Sequence, residues 1–345
     1  MNRSGGRKRA DTRSNATIAP AQCDGRVTAA AHVRSCESLA RVCSRLTARR
    51  VTTRLDSTRL DPSRCAIHAG RVFSDDQRRA FEDDGFVRLR GVLSPADCEA
   101  MRARTWRQLE RNGVDPDNRH TWSPEKAWKL QGIRRGDPPP AEQPQLRAAL
   151  DALFEDGQWT APRDWGQALV TMPSPGPWRI PAHVWHLDHP YTHPRFAIHG
   201  LNLFLLVDDV VAHGGGTLVV RSSHRVVDRF VESVEGLHDK KMKVLRAQFH
   251  ARNPWFTELA DAEAQDGADR TERYMACDTE VDGVGVRVVE LTGEAGDVVL
   301  CHPWLVHNSA PNVQQRLRMM RACRVYHPSH PSDARTAVSS PRAPS

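Results

Sequence analysis

Short apolar segments separated by glycine or acidic turns occupy the chain from about residue 167 onward, with no helix alternating between them in most of that stretch. Segments of this length are typical of antiparallel sheets, whereas a parallel sheet requires a helix between successive strands. The segments predicted as strands are 168–172, 186–188, 198–207, 217–220, 286–291, 296–302 and 317–325. We therefore predict a mainly β protein with flanking α-helices, in which a double-stranded β-helix (a jelly roll) is the core and N-terminal helices pack outside it.

Helical signals precede the strands. Ser74 is followed three residues later by Gln77, which is the pattern of a capping box. A second helix is predicted to begin after Ser94, because serine is a good N-cap and a proline follows it. Leucines at helical spacing predict a further helix over about 143–155 that packs against the core.

The positive charge of the chain is concentrated at its N-terminus. Residues 1–72 contain 15 Lys and Arg against 5 Asp and Glu, whereas the remainder contains 34 against 37. Residues 1–70 have few large apolar residues and no sustained period, so we predict a disordered Arg-rich extension. We interpret it as a solvated extension in preference to a nucleic-acid-binding arm or an organelle transit peptide, because it is unpatterned and lacks aromatic residues.

One domain is predicted at 71–330, and the Pro-, Ser- and Ala-rich segment 331–345 is predicted to be a disordered tail. Within the domain, 224–282 is long for a connection between strands, and we interpret it as a lid-like insertion. The 8 cysteines form no C-x-x-C pair, which favours reduced thiols in the cytoplasm over a disulfide framework. No apolar run approaches the length of a membrane span.

A candidate metal site combines two distant stretches. His186 and Asp188 are two residues apart, so a β-strand places both side chains on one face. A further histidine is available at His302 or His307. Two histidines and one carboxylate leave the opposite side of a metal ion open, which suits a non-haem Fe(II) site that holds a cosubstrate and O₂. In a chain with 16 histidines the H-x-D pair alone is weak evidence.

Four stretches, in this order, resemble the phytanoyl-CoA dioxygenase family of Fe(II)- and 2-oxoglutarate-dependent oxygenases. They are FEDDGFVRLRGVLS at 81–94, H-L-D at 186–188, the segment from LVDD to SSH at 206–224, and the segment from GDVVL to Arg318 at 296–318. The resemblance implies a jelly-roll fold, Fe(II) as the metal, and 2-oxoglutarate and O₂ as cosubstrates. It further implies hydroxylation of an unactivated C–H bond of a small-molecule substrate, with release of succinate and CO₂.

The resemblance also implies roles for single residues. The metal ligands that it assigns are His186, Asp188 and His307. Arg318, on the predicted strand after His307, is assigned to the far carboxylate of 2-oxoglutarate, because arginine pairs with carboxylates bidentately. Ser309 is assigned as a second donor to that carboxylate, and Arg316 is the alternative cation because it shares the parity of Arg318.

Three weaker assignments concern the walls of the cosubstrate site, and they are Lys129, Leu169 and Phe204. A surface lysine and two core residues are the competing interpretation of these positions. His302 competes with His307 as the distal ligand, but its spacing to Ser309 and Arg318 fits less well. His302 and His189 are expected to pack near the metal centre without binding the ion.

The sequence departs from the family pattern in ways that limit what can be transferred. Arg221 and Ser222 replace the usual Pro-Gly before Ser223-His224, so a turn of different shape is expected there. The carboxylate of Asp188 argues against the halogenating relatives, in which a small residue leaves room for chloride. The resemblance does not name the substrate, and the sequence does not indicate the oligomeric state.

Two alternative functions stay open at this point. The same three ligands suit a cupin-like isomerase or hydrolase that uses Zn²⁺ or Mn²⁺. A catalytically inactive binding protein on the same scaffold is the other, associated with nucleic acid through its N-terminal arginines. We expect a small-molecule partner and no membrane association, and the mildly acidic composition after residue 72 does not favour nucleic acid.

Overall fold

The computed structural model describes residues 73–128, 130, 133, 137–154, 157–189, 191, 198–261 and 270–328. The predictions for 1–70, for 331–345 and for Lys129 fall outside these residues and stay predictions. Among the residues described, no helix is long and apolar enough to cross a membrane.

Helices dominate the described residues between 73 and 160. They are α1 (Asp75–Asp84), α2 (Pro95–Arg111), α3 (Pro124–Trp128) and α4 (Pro144–Leu153). The predicted capping box is confirmed, because the Ser74 hydroxyl accepts from the Gln77 backbone while the Gln77 side chain accepts from the Ser74 backbone. Ser94 likewise caps α2 by accepting a hydrogen bond from the backbone N–H of Asp97.

The strands are antiparallel, and all but the first lie after residue 160. They are β1 (Phe86–Leu89), β2 (Gln167–Thr171), β3 (Gly200–Leu206), β4 (Thr217–Arg221), β5 (Thr279–Val281), β6 (Val284–Leu291), β7 (Val298–Cys301), β8 (His307–Ser309) and β9 (Arg318–Tyr326). The larger sheet has five strands in the order β1-β7-β3-β9-β2, and the smaller has four in the order β5-β6-β4-β8.

The chain winds between the two sheets in the order of a jelly roll. It leaves β2 of the larger sheet, forms a bridge to β8 at His186, returns to β3, and crosses again to β4. After β5 and β6 it alternates once more through β7, β8 and β9. The expected fold class, a double-stranded β-helix with N-terminal helices outside, is therefore confirmed.

Three apolar clusters correspond to the layers of this architecture. One lies between the outer face of the larger sheet and the N-terminal helices, and it contains Leu203 and Leu205 of β3. Another fills the space between the sheets, with Phe204 and Leu206 on the opposite face of β3. β3 is buried on both faces, which explains its nearly continuous apolar sequence.

The third cluster lies outside the smaller sheet and is covered by helices inserted between β4 and β5. These helices are α5 (Ser223–Ser233), α6 (Met242–Arg252), α7 (Pro254–Leu259) and α8 (Arg270–Met275). The sequence predicts a helix from Trp255 to about Ala264, and α7 is shorter because its C-cap lies at Ala260.

The expectation of reduced cysteines holds only in part. Cys98, Cys301 and Cys323 are free thiols, and burial raises the pKa of Cys98 to about 11. Cys277 is disulfide-bonded, so the prediction is wrong at that position. A single cysteine near the end of α8 carried no sequence signal, such as a C-x-x-C pair, from which its pairing could be predicted.

Candidate metal centre

His186, Asp188 and His307 converge on one point, with one ligating atom from each lying within 4.8 Å of the others. Oδ2 of Asp188 is 3.5 Å from Nε2 of His307, and Oδ1 is 3.8 Å from Nε2 of His186. The two imidazole rings are 4.2 Å apart between centroids. This donor set, two neutral nitrogens and a carboxylate, matches that of a non-haem Fe(II) site with open positions.

Backbone pairing holds the two histidines together. The N–H of His186 donates to the carbonyl of His307, and the N–H of His307 donates to the carbonyl of His186, both at 3.1 Å. The predicted strand over 186–188 is wrong, because only His186 forms a β-bridge. Val184 has a left-handed φ of 68°, so the chain enters this position from a turn rather than along a strand.

The tautomers of both histidines suit metal binding. Nδ1 of His186 lies 2.8 Å from the carbonyl oxygen of Val184, and Nδ1 of His307 lies 2.9 Å from that of Leu305. Because a carbonyl oxygen can only accept, each Nδ1 carries the proton. Nε2 of each ring therefore faces Asp188, and when it carries no proton it offers the lone pair that a metal ligand needs.

Electrostatics favour the protonation states of His186 and Asp188 that bind a cation. Partial burial, and then the proximity of His307, lower the pKa of His186, which keeps its imidazole neutral. Burial raises the pKa of Asp188, but hydrogen bonding and charge from His307, together with Arg324, outweigh it and hold that pKa well below its usual range. A deprotonated Asp188 beside a neutral His186 fits a divalent metal.

Arg318 lies on the same inner face of the larger sheet as Phe204 and is only 4% exposed. Its Nε donates to the carbonyl of Gly215 at 2.6 Å, and its Nη1 donates to the carbonyl of Leu169 at 3.2 Å. Burial lowers the pKa of Arg318 to about 10, so the side chain remains protonated at neutral pH. No carboxylate of the described chain lies within ion-pair distance of this buried cation, and the carboxylate of a ligand would fit it.

Of the other predicted site residues, some lie near the three converging side chains or Arg318 and others do not. Phe204 lies beside the metal ligands, with its ring 5.9 Å from that of His307. Leu169 contributes a carbonyl to Arg318 and packs between the sheets. Ser309 is exposed and makes no hydrogen bond to Arg318 in the structure. Arg316 is also exposed and donates to the carbonyl of Asp209, so it lies apart from the site.

The histidines expected to pack nearby lie outside the ligand cluster. His302 stacks obliquely on His224 at 4.8 Å, and its Nδ1 accepts from the backbone of Trp304 at 3.1 Å. His189 is buried against Tyr326, with ring centroids 5.5 Å apart. Neither belongs to the group of side chains that converge on Asp188.

Sequence reasoning missed Arg324, which contacts the metal centre directly. Its Nη2 donates to Oδ1 of Asp188 at 2.6 Å, while its side chain remains about half exposed. Arg324 shares the parity of Arg318 on β9, so it faces the same side of the sheet. That parity was the signal that would have placed Arg324 on the inner face.

Comparison with solved structures gives distant likenesses. AviO1 from Streptomyces viridochromogenes Tue57 is 20% identical over 74% of this chain and 96% of that chain, with a TM-score of 0.39. EctD from S. alaskensis, solved with bound Fe, is 17% identical over 78% of this chain and 82% of that chain, with a TM-score of 0.40. EvdO2 from Micromonospora carbonacea var. aurantiaca, complexed with 2-oxoglutarate, is 16% identical over 73% and 90%, with a TM-score of 0.39.

Comparison with sequence models of protein families gives a more extensive match. No curated protein sequence matches this chain. The sequence model of the family described as phytanoyl-CoA dioxygenase (PhyH) matches residues 81–320, which is more than two thirds of the chain. That match runs from α1 into the first residues of β9 and includes His186, Asp188 and His307. The chain therefore belongs to the phytanoyl-CoA dioxygenase family of Fe(II)- and 2-oxoglutarate-dependent oxygenases.

Proposed function

We propose that this chain is an Fe(II)- and 2-oxoglutarate-dependent dioxygenase that hydroxylates an unactivated C–H bond of a small molecule, releasing succinate and CO₂. The observation that carries the proposal is the convergence of His186, Asp188 and His307, with both Nε2 atoms directed at the carboxylate. Family membership supports it independently. Zinc or manganese chemistry would use the same ligands but would give a buried cation at Arg318 no task.

Each residue has a defined part in this proposal. The ligands of Fe(II) are His186, Asp188 and His307. Arg318 binds the far carboxylate of 2-oxoglutarate, for which its buried guanidinium is held in place by two carbonyl groups. Ser309 and Lys129 are proposed as further polar contacts, and Leu169 and Phe204 as walls. Bound together, Fe(II) and 2-oxoglutarate supply the activation of O₂, while the protein orients the reactants and excludes water.

The inserted helices are proposed to act as a lid that sets substrate choice. A pocket lies between α6 and α7 on one side and the stretch around His186 on the other. Met242, Phe249 and Phe256 line it from the helices, and Trp185 lines it from the opposite side. Met242→Ala is expected to weaken substrate binding without changing the affinity for 2-oxoglutarate, and equal loss of both would contradict a lid role.

The remaining expectations concern surroundings rather than chemistry. We propose a small organic molecule as the partner, in preference to nucleic acid, because residues 73–345 carry slightly more acidic than basic side chains. We propose a cytoplasmic location, for which the free thiols of Cys98, Cys301 and Cys323 give support and the disulfide at Cys277 gives none. Fractionation of the producing cells tests this.

The decisive experiment is anaerobic titration of the full chain with Fe(II) and then with 2-oxoglutarate. Chelation of 2-oxoglutarate by Fe(II) gives a weak visible charge-transfer band. We expect this band in the wild type and in the control His302→Ala, and no band in His307→Ala. A folded, metal-loaded wild type without the band would contradict the proposal.

An aerobic assay complements the titration. We expect the wild type to convert 2-oxoglutarate into succinate, and Asp188→Ala to lose at least about 100-fold in rate because the metal is no longer held. Wild-type turnover in Asp188→Ala would rule out the assigned metal ligands while leaving the fold untouched.

A further inference from the structure

The inner face of the larger sheet is organised in rows, because paired strands place side chains of the same parity side by side. Ala322 of β9 lies beside Phe204 of β3. In the next row Arg324 lies beside Asn202, which has Cys301 of β7 on its other side. Asn202 therefore faces the space between the sheets, in the row that contains Arg324.

The candidate site extends across these rows, along the direction of β9. Arg318 lies at one end of β9, and Arg324, which donates to Asp188 at 2.6 Å, lies toward the other. Six residues of strand separate the two arginines, which corresponds to roughly 20 Å of extended chain. If Arg318 binds the cosubstrate, the row of Asn202 lies on the opposite side of the metal, where a substrate must approach.

Asn202 has an unusual environment for a buried amide. The residue is only 2% exposed, and neither Oδ1 nor Nδ2 has a hydrogen-bond partner within the described structure. The remaining residues of β3 are glycine, leucine or phenylalanine, so the strand itself calls for an apolar residue here. An unpartnered buried amide destabilises a fold, and proteins retain such costs chiefly where function needs them.

We propose that Asn202 is a substrate-binding residue and that it takes a neutral polar group, a hydroxyl or a carboxamide, on the substrate. This inference rests on the proposed dioxygenase function. A hydroxyl or carboxamide accepts from Nδ2 and donates to Oδ1, so it satisfies both ends of the amide. A carboxylate has no proton for Oδ1, an ammonium has no lone pair for Nδ2, and the cation nearby, Arg324, is already paired with Asp188.

Thermal unfolding of the full chain separates a substrate-binding amide from a structural one. Asn312 is the matched control, because it is 1% exposed and its side chain makes three hydrogen bonds. We expect Asn202→Leu to keep or raise the unfolding midpoint, and Asn312→Leu to lower it by roughly 5 °C or more. A comparable loss in Asn202→Leu would overturn the proposal, because the fold would then depend on that amide.

Ligand-observed NMR on the full chain tests the chemical class and requires neither iron nor 2-oxoglutarate. The probes share one carbon skeleton and are butan-1-ol, butanamide, butanoate and butylammonium. We expect the alcohol and the amide to bind the wild type and to lose roughly 30-fold in affinity in Asn202→Leu, the effect of two hydrogen bonds of about 1 kcal/mol each. The proposal would be overturned if the alcohol and the amide bound the wild type and Asn202→Leu equally, if neither bound the wild type, or if the wild type preferred butanoate.

This proposal and the dioxygenase proposal fail in different ways. A wild type without the charge-transfer band contradicts the dioxygenase, whereas the unfolding and NMR results still report on Asn202. A band that is present in the wild type and lost in Asn202→Leu would assign the amide to cosubstrate or metal binding instead. A band retained in Asn202→Leu, with weaker binding of the neutral probes, is the expected result.

Discussion

Each of the two faces of β9 buries an arginine, and the two arginines have different hydrogen-bond and ion-pair partners. On the outer face Arg321 is 1% exposed and lies 3.2 Å from the carboxylate of Asp137, which also pairs with Arg104 of α2. On the inner face Arg318 is 4% exposed and has two backbone carbonyls as acceptors but no carboxylate partner in the described chain.

The difference separates a structural cation from one prepared for a ligand. Burying a charge is unfavourable unless a counter-ion compensates it. Arg321 obtains its counter-ion from the chain, so its pair is complete in the folded protein. Arg318 is held by two carbonyl groups, and Asp208 and Glu290 attract it only from beyond ion-pair distance, so the carboxylate of 2-oxoglutarate is the contacting counter-ion that the proposed function supplies.

The largest effect is expected on the outer face. Arg321→Leu leaves Asp137 with Arg104 alone, and breaking a buried pair from one side costs about 3 kcal/mol of unfolding free energy. Chemical denaturation measures this loss. Arg318→Leu is the matched control and is expected to keep or gain stability, because it removes a buried cation that no carboxylate of the described chain contacts. Equal destabilisation by both variants would erase the distinction between the faces.

For the affinity for 2-oxoglutarate, in contrast to stability, Arg318 is expected to matter more than Arg321. Arg318→Leu removes the cation assigned to the far carboxylate, which costs about 2–3 kcal/mol, or roughly 30- to 150-fold in affinity. Anaerobic titration of the Fe(II)-loaded protein measures it. The control Arg316→Leu changes an exposed arginine two residues away and is expected to bind normally. An unchanged affinity in Arg318→Leu would assign the cosubstrate to another cation.

Protonation of His224 at acid pH would create a further buried cation without a counter-ion. Burial lowers the pKa of His224 to about 4, and its Nε2 lies 3.0 Å from the carbonyl of Glu82. A histidine whose folded pKa lies below its unfolded value of about 6.5 contributes full stability above pH 6.5 and loses it as the pH falls toward 4. We expect about 2 kcal/mol to be lost between pH 7 and pH 5.

The measurement is the unfolding free energy as a function of pH, in the wild type and in His224→Gln. Glutamine can still donate to the carbonyl of Glu82 but does not titrate. The variant is therefore expected to show a flatter acid limb than the wild type. Identical pH profiles would mean that His224 takes up its proton without penalty in the fold.

The fold followed from the sequence because its determinants are local. Glycine turns and apolar strand segments recur without intervening helices, and that pattern is compatible with few architectures. Segment boundaries were less predictable, as α7 illustrates, because tertiary packing decides where a helix ends. Cys277 was missed because the pairing of a cysteine depends on distances that the sequence does not contain.

The convergence of His186, Asp188 and His307, the proposed metal ligands, was predictable because H-x-D and the distal histidine stand in a recognisable order. The way in which these side chains come together was not predictable, because the chain turns around Val184 and only His186 pairs with β8. Arg324 and Asn202 require strand register to be recognised, and register is a tertiary property. In hindsight one signal existed for Asn202, because it is the only polar side chain within β3.

The turn before α5 gives the smallest predicted effect. Ser222, which occupies the position of the usual glycine, has a left-handed φ of 62°, the conformation that glycine favours. Its hydroxyl donates to the carbonyl of Asp83 at 2.8 Å, and its N–H donates to that of Asp84 at 2.9 Å. The backbone conformation is thus one that a glycine there would adopt, and the serine hydroxyl offsets its strain.

Ser222→Gly and Ser222→Ala together test this compensation. Glycine relieves about 1 kcal/mol of strain but gives up a hydrogen bond of similar value, so the net change is expected within about 0.5 kcal/mol. Alanine keeps the strain and loses the bond, so it is expected to destabilise by about 1 kcal/mol. Denaturant unfolding resolves the difference between the two variants. If alanine proved as stable as glycine, the left-handed backbone would carry no strain, and the hydroxyl would not be needed to offset it.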